Sequence, residues 1–192
     1  MSLIHDAAEQ GATDLIQDFI ARALNVDERD ESDRTALHVA AEAGQIGAAE
    51  ALLKHGADID ARDAQGRTPL VRAVECEQRE AVSFLLAHKA DVTVRDRRGW
   101  TVLHTIARRG LTDIAEALLG SGRSIDVNVG DDEGRGPLYY AREGGHRAIA
   151  DLLERKDACE YCAPARRRKH WADRWLQRLM RGITIRKGVR RR

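Results

Sequence analysis

A short segment recurs along this chain every 33 residues, and that period constrains the fold more than any other feature. Residues 34–41 (RTALHVAA) return as residues 67–74 (RTPLVRAV) and as residues 100–107 (WTVLHTIA). Two further copies, less regular, are residues 4–8 (IHDAA) and 135–141 (RGPLYYA). Five copies at a nearly fixed period indicate a repeat protein, in which each unit packs mainly on its neighbours.

Every copy shows the same order of turn, helix, turn and helix. Each copy after the first begins with an Asp-x-x-Gly turn, such as Asp63 to Gly66. In one turn Asp33 replaces the glycine, a substitution that is acceptable because Asp tolerates left-handed backbone better than most residues. Thr or a small residue then precedes a short helix, and a glycine separates this helix from a second one. The second helix ends in a leucine pair. The pairs are Leu52-Leu53, Leu85-Leu86, Leu118-Leu119 and Leu152-Leu153.

These residues resemble the ankyrin repeat, whose pattern is Asp-x-x-Gly-x-Thr-Pro-Leu-His-x-Ala-Ala followed by Leu-Leu-x-x-Gly-Ala-Asp. Residues 56–63 (GADIDARD) are similar to its repeat junction, and the resemblance covers about residues 2–157. It implies an all-α ankyrin-repeat solenoid of five helix-turn-helix units with hairpin-like turns. We call the units copies one to five; they are about residues 2–29, 30–62, 63–95, 96–130 and 131–157.

Copy three departs most from the pattern among the inner units. Val71 replaces the histidine, Arg72 stands at an inward-leaning position, and Glu77 replaces the glycine between the helices. We therefore predict that copy three is the least stable inner unit.

The sequence gives no sign of catalysis. His5, His38 and His104 share one repeat position, so they lie roughly 10 Å apart, the usual distance between packed helices, which is too far to share a metal or a proton. We predict that they make hydrogen bonds between turns and helices. A phosphate-binding glycine loop, a nucleophile elbow and a zinc-protease helix are all missing. We predict a protein that is not an enzyme and has no cofactor, metal or small-molecule substrate.

The resemblance implies a surface for binding a partner. Ankyrin repeats usually contact partners through the hairpin tips and the exposed side of the first helices, which form the concave face. Carried over position by position, copy four offers Arg97, Arg98, Trp100, Arg108 and Arg109. Trp and Arg are enriched at interface hot spots, so this patch is predicted to bind a protein with an acidic surface. The alternative is that the arginines are a solvated face and Trp100 covers a neighbouring tip.

Charge divides the chain into two parts, although its formal net charge is only +1. Up to Asp157 there are 20 basic and 29 acidic residues, a net charge of −9; residues 158–192 hold 12 basic and 2 acidic residues, a net charge of +10. No apolar run approaches the roughly 18–20 residues that span a bilayer, and the first residues do not resemble a signal peptide. Three cysteines favour a reducing compartment, so we expect a cytoplasmic protein.

Residues 158–192 form a basic extension in which the repeat pattern stops. Cys159 and Cys162 lack a second pair of zinc ligands, and we expect two thiols that face solvent or pack on the last repeat. Apolar residues at helical spacing predict an amphipathic helix over about residues 165–182. Its candidate anion- or partner-binding residues are Arg166, Arg167, Arg168, Lys169, Arg174, Arg178 and Arg181.

Three interpretations of this helix stay open. It caps copy five, it recognises another molecule such as an acidic protein surface or nucleic-acid phosphates, or it lies on an anionic membrane surface. The favoured function of the whole chain is a non-catalytic protein-protein interaction module, monomeric by itself, that acts as an adaptor, scaffold or inhibitor. The alternative is an adaptor associated with nucleic acid or with an anionic membrane through the basic helix.

Overall fold

The computed structural model describes residues 3–120 and 125–161, and these residues form ten α-helices and no β-strand longer than an isolated bridge. The helices are α1 Leu3–Gln10, α2 Thr13–Ala21, α3 Ala36–Ala43, α4 Ile46–Lys54, α5 Pro69–Glu75, α6 Arg79–Ala87, α7 Val102–Arg109, α8 Thr112–Gly120, α9 Pro137–Glu143 and α10 Arg147–Glu154. The predicted all-α class is confirmed. The predicted helix over about residues 165–182 lies outside the described residues.

The helices form two layers. The first helices of the copies pack side by side in the order α1, α3, α5, α7, α9, while α2 packs on α4, α4 on α6, and α8 on α10. Each first helix also packs on the second helix of its own copy. This arrangement is the predicted solenoid of five helix pairs.

Leucine and alanine fill the interior between the layers. Leu37, Leu70 and Leu103 occupy one position of three successive copies and are fully buried, and Ala40 and Ala73 lie buried beside them. Alanine allows close approach of the helix backbones, so small aliphatic residues form a core without many aromatic rings. In α4, α6 and α8 the buried leucine is the first of each pair. In α10 the buried leucine is the second of its pair, Leu153, which lies 35 residues after Leu118.

One carboxylate organises each hairpin tip. In copy three, Oδ1 of Asp63 accepts hydrogen bonds from the backbone N–H groups of Gln65 (2.8 Å) and Arg67 (2.9 Å), and Oδ2 accepts one from Nε of Arg67. The last residue of the turn is left-handed, with φ 78° at Gly66 and φ 61° at Asp33. The prediction that Asp33 adopts the glycine conformation is therefore confirmed.

The repeated histidines join neighbouring copies. The backbone N–H of Thr35 donates to Nδ1 of His38 at 3.1 Å, so the ring proton lies on Nε2, which donates to the carbonyl of Arg67 at 3.0 Å. His104 makes the same two bonds, to Thr101 and Arg135, at 3.1 and 3.3 Å. The predicted structural role of these histidines is confirmed.

Burial sets the protonation state of the same histidines. It lowers the pKa of His104 to about 4, although the Arg135 carbonyl acts in the opposite direction. It lowers the pKa of His38 as well. Both rings are therefore neutral at pH 7.

Repeat-type contacts extend beyond α10. Oδ1 of Asn128 accepts from the backbone N–H of Cys159 at 2.7 Å, just as Oδ1 of Asp60 accepts from the backbone N–H of Asp91 two repeats earlier. The chain then forms an antiparallel bridge between Arg135 and Tyr161. Cys159 is disulfide-bonded, so the expectation of a free thiol at that position is wrong.

Candidate partner-binding surface

Copies two and three carry a continuous chain of ion pairs on the exposed side of their first helices. Arg34 pairs with Asp30 (2.8 Å) and Glu42 (3.0 Å). Arg67 pairs in the same way with Asp63 (2.8 Å) and Glu75 (3.0 Å). Arg72 of α5 links the two halves, since it pairs with both glutamates. We call this set of seven residues the copy two–three network; it comprises Asp30, Arg34, Glu42, Asp63, Arg67, Arg72 and Glu75.

The side chains of the copy two–three network are partly buried. The side chain of Arg72 is 14% exposed and that of Glu42 is 30% exposed. Burial by itself raises the pKa of Glu42, but the hydrogen bonds and charges of Arg72 and Arg34 outweigh burial, and the pKa is lowered. Every charged side chain of this network therefore has an oppositely charged partner within the network.

Copy four breaks this arrangement at two positions. Trp100 stands where the other tips have Arg34, Arg67 and Arg135. Arg108 of α7 stands where copies two and three have Glu42 and Glu75. The tip carboxylate of copy four, Asp96, nevertheless keeps a guanidinium partner. Arg98 supplies it from within the turn, with Nε and Nη2 at 3.1 and 3.0 Å from Oδ2 of Asp96.

An aromatic cluster forms around Trp100, which is 5% exposed. The ring of Tyr140 packs against it with centroids 4.4 Å apart, and the guanidinium carbons of Arg98 and Arg108 lie 4.0 and 5.3 Å from its centroid. The hydroxyl of Tyr140 donates to Oδ2 of Asp131 at 2.5 Å, and burial followed by this bond raises the Tyr140 pKa. The ring of Trp100 is therefore buried beneath the guanidinium groups of the two arginines and does not project into solvent.

A cleft of about 390 Å³ opens between the tips of copies four and five. Its lining residues are Arg98, Trp100, Arg108, Asp132, Glu133, Arg135, Tyr140 and Glu143. We call Arg98 and Arg108 the copy-four wall, and Asp132, Glu133 and Glu143 the copy-five wall. The backbone N–H of Asp132 donates to the carbonyl of Arg98 at 3.1 Å and joins the two tips at the cleft. The cleft is thus basic on one side and acidic on the other.

Three of the five predicted partner-binding residues of copy four line this cleft, namely Arg98, Trp100 and Arg108. Arg97 is exposed on the tip, and its backbone N–H donates to the carbonyl of Gln65 at 2.9 Å. Arg109 reaches the previous copy, where it donates to the carbonyl of Glu75 (2.7 Å) and to Oε1 of Glu77 (3.0 Å). Arg97 and Arg109 therefore lie on the same face but do not line the cleft. The predicted site in the extension, Arg166 to Arg181, lies outside the described residues.

Position-by-position comparison of the repeats had placed Asp132, Glu133 and Glu143 of copy five beside the arginines of copy four, and the structure brings them to the same cleft. The ion-pair chain of copies two and three was not predicted. The aligned repeats do contain a signal for the ion-pair chain. Arg34 and Glu42 recur together as Arg67 and Glu75, and they are replaced together by Trp100 and Arg108. A joint exchange of two positions eight residues apart indicates that the two side chains meet.

Among residues 3–120 and 125–161, no three His, Cys, Asp or Glu side chains are grouped as metal ligands. Within the same ranges, no helix has the length and apolar character that crossing a membrane requires.

The fold and the charged face define a class of protein, a helical-repeat solenoid. Within that class, the sequence matches the family described as ankyrin repeats (3 copies) over residues 4–96 and 90–163. This chain belongs to the ankyrin repeat family. Members of the family are generally protein-protein interaction modules and are typically not catalytic. A comparison with curated proteins gives no match.

Proposed function

We propose that this chain is a non-catalytic adaptor, scaffold or inhibitor that binds a protein partner at the cleft between copies four and five. The observation that carries the proposal is the state of Arg108. Of the arginines on the first helices of the described repeats, Arg72, Arg109 and Arg142 make ion pairs. Arg108, an exposed residue, makes none with the described part of the chain, and its guanidinium carbon lies 5.3 Å from the centroid of the Trp100 ring.

Binding a partner carboxylate costs less at an unpaired arginine than at an arginine of the copy two–three network. A partner carboxylate that approached Arg72 would compete with Glu42 and Glu75, which already pair with its two terminal nitrogens. A carboxylate that approaches Arg108 displaces only water. The family resemblance also implies that a partner contacts the tips and the first helices, where these residues lie. Both considerations support copies four and five as the binding region.

The alternative role through the basic extension has no support of this kind. Its candidate residues lie outside the described part of the chain, so no contact favours binding to nucleic acid or to a membrane. The experiment below therefore uses the full chain, and changes only cleft residues.

Affinity capture with matched variants tests the proposal. The full chain, the Arg108→Glu variant and the Arg147→Glu variant are immobilised and exposed to extract from the source cells, and captured proteins are quantified. Arg108→Glu introduces the residue that copies two, three and five already have at this position, so we expect the fold to tolerate it. Arg147 is exposed at the start of α10, where Glu suits the helix N-terminus, which makes Arg147→Glu a charge-matched control.

We expect at least one protein to bind the full chain and the Arg147→Glu variant equally, and to bind Arg108→Glu at least about fivefold less, the effect of a contact worth about 1 kcal/mol. Equal capture of every bound protein by all three chains would overturn the proposal.

A further inference from the structure

We infer that the cleft between copies four and five accepts a dipolar segment of the partner, in which one carboxylate and one cationic side chain are presented together. This inference rests on the proposed function and specifies the chemistry of its ligand. The carboxylate contacts the copy-four wall, and the cation contacts the copy-five wall.

The copy-four wall offers one cation that is free and another that is held in place. Arg108 makes no ion pair with any described residue, so its charge is available to a ligand. The guanidinium of Arg98 stays close to it, because Asp96 binds this group from below and Trp100 supports it at 4.0 Å. A group already held in its bound position loses less entropy on binding than a free arginine.

The copy-five wall offers carboxylates without cationic partners. Asp132 and Glu143 are exposed, and neither makes an ion pair within the described part of the chain. Glu133 differs, since it pairs with Arg135, which also neutralises the buried Asp131. This wall therefore has two carboxylates to spare, and a single acidic ligand would meet repulsion from them.

The two walls are close enough to act on one ligand, yet they do not neutralise each other. Both line the same cleft of about 390 Å³, and backbone hydrogen bonding between Asp132 and Arg98 joins the tips that form it. Neither Arg98 nor Arg108 forms an ion pair with Asp132, Glu133 or Glu143. The separated charges are thus left for a ligand whose own charges are arranged in the opposite sense.

This arrangement discriminates by repulsion as well as by attraction. A segment with two carboxylates places one against Asp132 and Glu143. A segment with two cations places one against Arg98 and Arg108. Only a dipolar segment avoids both conflicts, so the cleft selects for charge order as well as for charge.

Capped peptides of known charge test this inference on the full chain. The probes are acetyl-Gly-Glu-Gly-Lys-Gly-amide, its reversed order with Lys first, and matched peptides with two Glu or two Lys. Titrations at about 150 mM salt limit the general attraction of cations to the acidic repeats. The readout is the NMR signal of the arginine Nε–H groups of Arg98 and Arg108, which reports contact at the cleft even for weak ligands.

We expect one of the two dipolar peptides to bind with a Kd at least about fivefold lower than that of the peptide with two Glu or of the peptide with two Lys. Arg108→Glu should weaken that peptide at least fivefold and strengthen the peptide with two Lys, whereas Arg147→Glu should change neither. The inference is overturned if the peptide with two Glu binds the full chain as tightly as both dipolar ones, or if no peptide shifts the two arginine signals.

The two proposals fail in different ways. Loss of partner capture by Arg108→Glu, together with tightest binding of the peptide with two Glu, leaves the proposed function standing and rejects the dipolar ligand. Unchanged capture by Arg108→Glu rejects the proposed site, whatever the peptides do.

Discussion

The guanidinium of Arg98 lies 4.0 Å above the ring of Trp100 and at the same time donates to Asp96, the carboxylate that organises its own tip. In the other described tips this second task belongs to an arginine at the position of Trp100, as Arg67 shows with Asp63. Arg98 therefore lets copy four place an aromatic ring in the tip without leaving Asp96 unpaired. Arg98 thus stabilises the tip through Asp96 and at the same time forms part of the cleft lining above Trp100.

Replacing Arg98 by Ala should destabilise the protein by about 1–2 kcal/mol. The change removes a cation–π contact worth about 0.5–1 kcal/mol and a charge-assisted hydrogen bond that solvent partly screens. Urea unfolding of the full chain measures the loss. Arg97→Ala is the matched control, since Arg97 is exposed and its contact uses only the backbone, and it should change stability by less than about 0.5 kcal/mol. Equal losses from the two variants would contradict the assigned role of Arg98.

The pair formed by Glu42 and Arg72 should show a coupling free energy of about 1–2 kcal/mol in a double-mutant cycle with Glu42→Gln and Arg72→Met. Its side chains are 30% and 14% exposed, so solvent screens the pair less than a surface pair. The pair formed by Asp18 and Arg22, 47% and 69% exposed, should couple by less than about 0.5 kcal/mol in the corresponding cycle. A coupling for Glu42 and Arg72 no larger than that of this surface pair would show that the network adds little stability.

Acid should destabilise the repeats through His104 before the carboxylates titrate. Its folded pKa of about 4 lies below the ordinary 6.5, so between these values the unfolded chain binds a proton that the folded chain does not. Stability therefore falls as the pH drops below 6.5, and His104 alone accounts for a loss of about 2 kcal/mol by pH 5. His38 acts in the same direction.

Unfolding free energies of the full chain and of His104→Gln, measured between pH 7.5 and 5, test this prediction. The quantity compared is the change with pH, because the variant also lacks a hydrogen bond at every pH. The lowered pKa of Glu42 adds a loss only below its ordinary value, outside this window. A variant whose pH dependence equals that of the unaltered chain would rule out His104 as the source.

Lys89→Gly should stabilise the protein by about 0.5–1 kcal/mol. Lys89 has φ 67° at the position that Gly56 occupies one repeat earlier with φ 86°. Left-handed backbone costs a residue with a side chain about 1–2 kcal/mol, and the extra entropy of unfolded glycine offsets only part of this gain. Urea unfolding measures the effect. The reverse change, Gly56→Lys, has open space for a Cβ atom and should cost about 1 kcal/mol through the backbone alone. Destabilisation by Lys89→Gly would contradict the strain argument.

The repeat pattern predicted most of the fold because it reports on contacts that each copy makes in the same way. The buried leucines, the left-handed Asp33 and the histidine hydrogen bonds all follow from one unit applied five times. The candidate site was predicted only in part. Arg98, Trp100 and Arg108 were placed on one face, acidic residues of copy five were placed beside them, and packing of Trp100 on a neighbouring tip was the alternative. The ion pair between Arg109 and Glu77 and the ion-pair chain of copies two and three were not predicted.

The sequence by itself determined the period, the helix pairs and the face on which each copy presents its tip, because backbone turns and apolar spacing are local properties. Only the tertiary structure decided which charges are already matched and which are open to a ligand. Arg72 and Arg108 are both arginines of first helices, yet Arg72 lies between two glutamates and Arg108 makes no ion pair with the described part of the chain. That difference depends on the paths of long side chains between copies about 33 residues apart, which local spacing does not specify.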